Sequence, residues 1–207
     1  MKTNRLSLPC ACGLALWSIG CSQPPAAPVQ KQVERKPGPV TGLHGLSKIF
    51  QVARTWDPRI QVLRLTSVHL NEVPEVRGKA GEWDGTFVSP AQEKARSYTF
   101  SVIELPPNLH QGVFGVGDEP FAAAPDASKP FLIEAVQIDS DKAYQTALAK
   151  AGGYEAKHPG KPITITLEQT PRHPRPAWRV IWGESASNSD FSVFVDATTG
   201  EYLEIMH

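Results

Sequence analysis

Catalysis or metal binding needs a nucleophile, a ligand set, or a positioned acid and base. Cys10, Cys12 and Cys21 are the chain's three cysteines, and none follows Cys21. A disulfide framework or a thiolate zinc site is thereby excluded from the rest of the chain. The six histidines, at 44, 69, 110, 158, 173 and 207, are scattered with no His-x-x-x-His spacing. Neither a metal site nor a cofactor is expected. Glu72 with Glu75, and Asp139 with Asp141, are carboxylate pairs, but each falls in a turn or cap where acids are ordinary, so no acid–base role follows. Ser185, Ser187 and Ser189 sit in a polar hairpin loop, and no Gly-x-Ser-x-Gly elbow occurs. Gly112, Gly115 and Gly117 stand in the wrong order for a dinucleotide fingerprint, and Pro120 follows where a helix would start. No catalytic residue is assigned, and a non-enzymatic role is expected. Trp83, Trp178 and Trp182 remain, at alternating strand positions that suit a core or the lining of a binding groove.

Cys21 has a context of its own. Lys2 and Arg5 precede an uncharged, mostly apolar run from Leu6 to Gly20. That run falls short of the roughly 20 residues that span a bilayer, and it fits the apolar region of a signal peptide over residues 1–20. It ends in Ser18-Ile19-Gly20-Cys21, which resembles the lipobox of bacterial lipoproteins, although Ser18 stands where Leu is usual. The resemblance implies a diacylated Cys21 as the mature N-terminus, with the membrane as partner. Several acyl chains hold a protein stably where one holds it marginally. Ser22, rather than Asp, follows the cysteine, and in lipoproteins of two-membrane bacteria this favours the outer membrane, facing the periplasm. Without Lys2 and Arg5, the 21 basic residues fall to 19 against 21 acidic ones. Such a balance gives no basic surplus for nucleic acid.

The elements beyond the cysteine are legible from pattern. Residues 21–42 hold Pro24, Pro25, Pro28, Pro37 and Pro39 and read as an extended, disordered linker. A first α+β half over residues 43–105 holds a helix from about Leu46 to Trp56 and strands at Gln61–Leu70, Glu82–Val88 and Arg96–Ile103. Residues 106–130 read as an irregular connection. A second half over residues 131–207 begins with a strand at Phe131–Ile138. Asp139-Ser140-Asp141 signals a helix N-terminus, and the helix runs from Lys142 to Lys150, ended by Gly152-Gly153. Strands follow at Ile163–Gln169, Ala177–Gly183, Phe191–Asp196 and Tyr202–Ile205. Trp178 follows Trp83, and Trp182 follows Phe87, by the same 95 residues, which marks a possible duplication. The fold expected is α+β, antiparallel sheets each covered by one helix. A cystatin-like helix-on-sheet unit is the alternative.

The second half carries Trp178-Arg179-Val180, then Phe191-Ser192-Val193-Phe194-Val195-Asp196-Ala197-Thr198-Thr199-Gly200-Glu201. This segment resembles a PepSY-type domain, whose last strands lead through an Asp-Ala-x-x-Gly turn. Asp196 and Gly200 match that turn and are read as structural, since an Asp side chain bonds turn amides and Gly accepts positive φ. The first half lacks the turn and would be a degenerate copy. PepSY domains occur in propeptides of secreted peptidases and in envelope proteins, so the resemblance implies binding or restraint of a peptidase or another protein. Open sheet edges suit a peptide partner. An enzyme with an unrecognised site and a passive structural lipoprotein are the alternatives.

Cys21→Ser removes the acceptor for diacylglycerol. Each buried CH₂ of a lipid contributes about 0.8 kcal/mol, so membrane fractionation should show a decisive loss of sedimentation, or an unprocessed precursor. Circular dichroism of the purified variant should match the parent. Normal processing with unchanged sedimentation would contradict the anchor.

Overall fold

The computed structural model describes residues 37–207, so Cys21, the signal peptide and most of the linker lie outside the described residues. The described chain opens with strand β1 (Val40–Thr41) and helix α1 (Gly42–Ala53). Leu46, Ile49 and Ala53 recur at helical spacing on α1 and are fully buried. The helix starts before the expected Leu46 because its first turn is capped from elsewhere in the chain. Strands β2 (Gln61–Val68), β3 (Lys79–Ala80), β4 (Glu82–Ser89), β5 (Lys94–Ser101) and β6 (Gly112–Pro120) follow. The second half holds α2 (Ser140–Lys150), a short α3 (Tyr154–Lys157), β7 (Ile163–Glu168), β8 (Ala177–Gly183), β9 (Ser189–Asp196) and β10 (Tyr202–Met206).

The fold is α+β and antiparallel. Eight strands lie in the order β10-β9-β8-β7-β2-β4-β5-β6, while β1 and β3 pair apart. The two expected half-sheets are therefore joined. β2 and β7 meet through Arg64–Glu168, Leu65–Leu167 and Thr66–Thr166. From that seam outward, each half runs strand by strand in chain order. Both helices pack on one face, α1 over β4 and β5, α2 over β8 and β9.

Two expectations fail. Residues 106–130 are not wholly irregular, since β6 lies within them and pairs with β5 from Gly112–Ser101 to Pro120–Lys94. Its glycines, acids and proline hide it, because an edge strand with a mostly exposed face needs no alternating apolar pattern. Phe131–Ile138 is not a strand. Phe131 makes an isolated bridge with Val62, Ile133–Ala135 form a 3₁₀ turn, and the amides of Gln137 and Ile138 both bond the Ala197 carbonyl at 2.9 Å. Beyond that one bridge to β2, the apolar residues there close the core without extending the sheet.

The halves share their helix N-termini. Asp139 Oδ1 accepts from the Ser140 amide at 2.7 Å, its own helix, and from the Leu43 amide of α1 at 2.9 Å. Ser140 Oγ accepts from the Gly42 amide at 2.7 Å and donates to the Gly78 carbonyl at 2.6 Å. One carboxylate and one hydroxyl thus satisfy the orphan amides of two helices. The tryptophans repeat one device across the halves. Trp83 Nε1 donates to the Val40 carbonyl at 3.1 Å and Trp178 Nε1 to the Ile138 carbonyl at 2.7 Å, each acceptor two residues before its half's helix. A Cβ on Gly42 would lie 2.6 Å from the Trp178 ring, and one on Gly45 2.8 Å from the Trp83 ring. The two α1 glycines therefore let the helix sit directly on both indoles.

Asp139→Ala should cost about 2–4 kcal/mol in urea unfolding, because it uncaps two helices. Asp141→Ala, in the same first turn, should cost less than about 1 kcal/mol. Equal losses would contradict the shared cap.

Candidate functional site

Trp83, Trp178 and Trp182 are each 0% exposed, so they do not line a groove. Trp182 instead donates to Glu155 Oε2 at 3.3 Å, which also accepts from the Tyr144 hydroxyl at 2.8 Å. These indoles fill the space beneath the helices, and their N–H groups are satisfied internally. Asp196 and Gly200 stand in the turn between β9 and β10. Asp196 Oδ1 accepts from the Thr198 and Thr199 amides at 2.8 and 2.9 Å, and Gly200 holds φ +78°. Gly200's amide bonds the Asp196 carbonyl at 2.8 Å. Both residues thus hold a turn.

Residues 137–206 match the family model described as peptidase propeptide and YPEB domain, PepSY. That segment is similar to a PepSY domain. Its span covers α2 through β10, including the four strands of one half, from β7 at the seam to β10 at the margin. No curated protein matches the chain. The chain is similar to a solved Clostridium difficile protein described as a candidate lipoprotein, with 8% identity, 78% of this chain and 91% of that one covered, and a TM-score of 0.44.

A cavity of about 740 Å³ opens where the PepSY-like segment meets the first half. The β2–β7 ladder ends at Thr66–Thr166, and beyond it the strands part. There Ser67 Oγ, not a backbone carbonyl, accepts from the Ile165 amide at 2.9 Å. Ser67 and Leu70 line one side of the cavity, Ile163 and Ile165 the other, and the β3 segment covers it. Sequence reading missed this place, because it exists only through the register between strands 100 residues apart in the chain.

A carboxylate, an imidazole and a hydroxyl stand in line at its wall. His69 Nδ1 lies 2.7 Å from Glu75 Oε1, and His69 Nε2 lies 2.9 Å from Thr164 Oγ1. That order suits a nucleophile-activating triad, but the proton positions do not. Thr164 is 3% exposed and donates its hydroxyl proton to the Gly183 carbonyl at 2.8 Å, so His69 Nε2 must be the donor to Thr164. An imidazole already protonated on that nitrogen cannot take the hydroxyl proton. The remaining nitrogen faces a carboxylate that burial pushes above its usual range, with His69 opposing the shift. The row therefore pins the segment after β2 to β7 and shapes the cavity. Of the carboxylate pairs considered above, Glu75 serves here, Asp139 caps the helices, and neither pair acts as a pair.

The face away from the helices is polar. A transverse row crosses every strand: Glu204, Phe194, Arg179, Thr166, Thr66, Asp84, Thr99 and Phe114. At its β6 end Phe114 and Val116 are 52% and 53% exposed. Glu82, on the same face, is 8% exposed, and burial, followed by the charge of Asp84, pushes its pKa up to about 7.

A carboxylate raised in the fold takes up a proton on folding, so its contribution falls as pH rises from the ordinary 4.5 to about 7. Glu82→Gln removes that loss. Relative to the parent it should gain about 1–2 kcal/mol at pH 8, a figure reduced for solvent screening, and nothing at pH 4. Denaturant curves at both pH values check this, and a constant difference would contradict it.

Proposed function

We propose that the chain is a lipid-anchored envelope protein with a non-enzymatic binding role. Its anchor is the lipid on Cys21, its place the outer membrane facing the periplasm, and residues 43–105 are a degenerate second copy of the PepSY unit. Its partner is a protein or peptide, a peptidase among the candidates that the PepSY match favours. The tryptophan-to-carbonyl bonds repeated before α1 and α2 support the duplication.

The observation that carries the binding reading is β6. Joining the half-sheets removes the inner edges at β2 and β7, leaving β6 and β10 at the margins. β6 runs from Gly112 to Pro120, is mostly exposed, and presents Phe114 and Val116 beside an unpaired backbone edge. An exposed edge with apolar side chains accepts an added strand, the backbone giving affinity and alternate side chains specificity. β10 is shorter, Tyr202–Met206, and its register is broken between Tyr202 and Glu204.

Lysine on an edge strand repels an incoming strand. The Phe114→Lys, Val116→Lys double variant should lose at least about tenfold in capture of its partner from envelope extracts, about 1.4 kcal/mol. If the partner is a peptidase, the variant should release its inhibition to the same extent. Unfolding midpoints should not change, because both side chains are exposed. Unaltered capture, or no capture by the parent protein, would overturn the reading.

A further inference from the structure

The two ends of the β2–β7 seam differ. At one end the connecting segment closes the gap with its backbone. Phe131 and Val62 exchange amide–carbonyl bonds of 2.8 Å, and the Lys129 amide donates to the Gln169 carbonyl at 2.7 Å. At the other end, past Thr66–Thr166, no backbone segment enters; side chains of Ser67 and His69 bridge to Ile165 and Thr164, and a cavity of about 740 Å³ opens beside them, lined by Ser67, Leu70, Ile163 and Ile165. That volume lies in the range of ligand clefts, roughly 300–1,000 Å³. The fold thus holds, within itself, an example of extended backbone bonded to both strands where they part.

The charges around the open end are unequal. Lys161 is paired with Asp190, and Glu75 faces His69. Arg77 and Lys79 line the cavity and make no ion pair among the described residues, while Glu184 is the acid left opposite them. Arg77 is also held at φ +50°, followed by Gly78 at +86°, in a tight turn closed by Val76–Lys79 backbone bonds of 3.0 Å. Turns with two positive φ values favour Asn or Gly, so arginine is a strained choice there. Strain of this kind persists where it serves a site.

The geometry points to this wedge as a binding site for the C-terminal end of an extended peptide. The peptide lies along the cavity beside the Ser67–Ile165 and His69–Thr164 bonds, where its apolar side chains meet Leu70, Ile163 and Ile165 and its terminal carboxylate is held by Arg77 and Lys79. The site lies three strands from β6, across β4 and β5, so it adds to the edge-strand reading and fails or stands apart from it.

The test is fluorescence anisotropy on the purified full-length chain. One probe is a short labelled peptide of alternating valine and alanine with a free C-terminal carboxylate, the other its C-terminal amide. The acid should bind saturably and the amide at least about tenfold more weakly, since a charge-assisted bond is lost. Arg77→Gly should weaken the acid severalfold while raising or keeping the unfolding midpoint, because glycine relieves the turn. Lys79→Ala should weaken it likewise, and the double variant should bind acid and amide alike. Phe114→Lys should leave peptide binding unchanged. Equal binding of acid and amide by the parent, no binding of either, or full acid binding by the double variant would overturn the inference.

Discussion

The Asp139 carboxylate and the Ser140 hydroxyl are where the two halves become one body. Their bonds reach Leu43 and Gly42 in α1, Ser140 in α2 and Gly78 beside β3. Two positive helix ends meet there, and a carboxylate between them satisfies both dipoles as well as the orphan amides. Every larger feature follows from that meeting point. It sets α1 and α2 on one face, brings Gly42 against Trp178, and fixes the turn that carries Arg77. Buried polar groups in such a junction specify one arrangement, since any other leaves several amides unpaired.

The seam in the sheet is the second constraint. Only three residue pairs join β2 to β7, from Arg64–Glu168 to Thr66–Thr166. Sheets twist, so two half-sheets that meet over so short a ladder diverge on either side of it. At one end the chain fills the gap with residues 129–131, and at the other it leaves a cavity lined by His69 and Glu75, with His69 held on Thr164. The cavity is thus a consequence of joining two units, and neither half contains it alone.

Much of the fold was legible in the sequence. The helix after Asp139, the strands around Trp83 and Trp178, and the Asp196–Gly200 turn all rest on local signals: a cap, alternating apolar residues, a glycine with positive φ. What was illegible depended on distant partners. β6 carries Gly115 against the Tyr98 ring and an exposed outer face, so its pattern is that of a loop. The run from Phe131 to Ile138 has a strand's composition, yet it makes a single bridge to Val62 of β2 and then turns to bond the Ala197 carbonyl, so no ladder forms. The tryptophans were rightly placed on strands, but the choice between groove and core turned on whether the helices cover them, and α1 sits directly on two of the three. The cavity's residues, spread from Ser67 to Glu184, carry no common motif.

If the junction at Asp139 makes the halves interdependent, they unfold together. Native-state hydrogen exchange measures this directly. The amides of Leu43 and Ser140 should exchange with the same free energy as core amides in β4 and in β8, each equal to that of global unfolding. A lower value confined to one half, with Leu43 or Ser140 opening while the other half stays protected, would contradict the account.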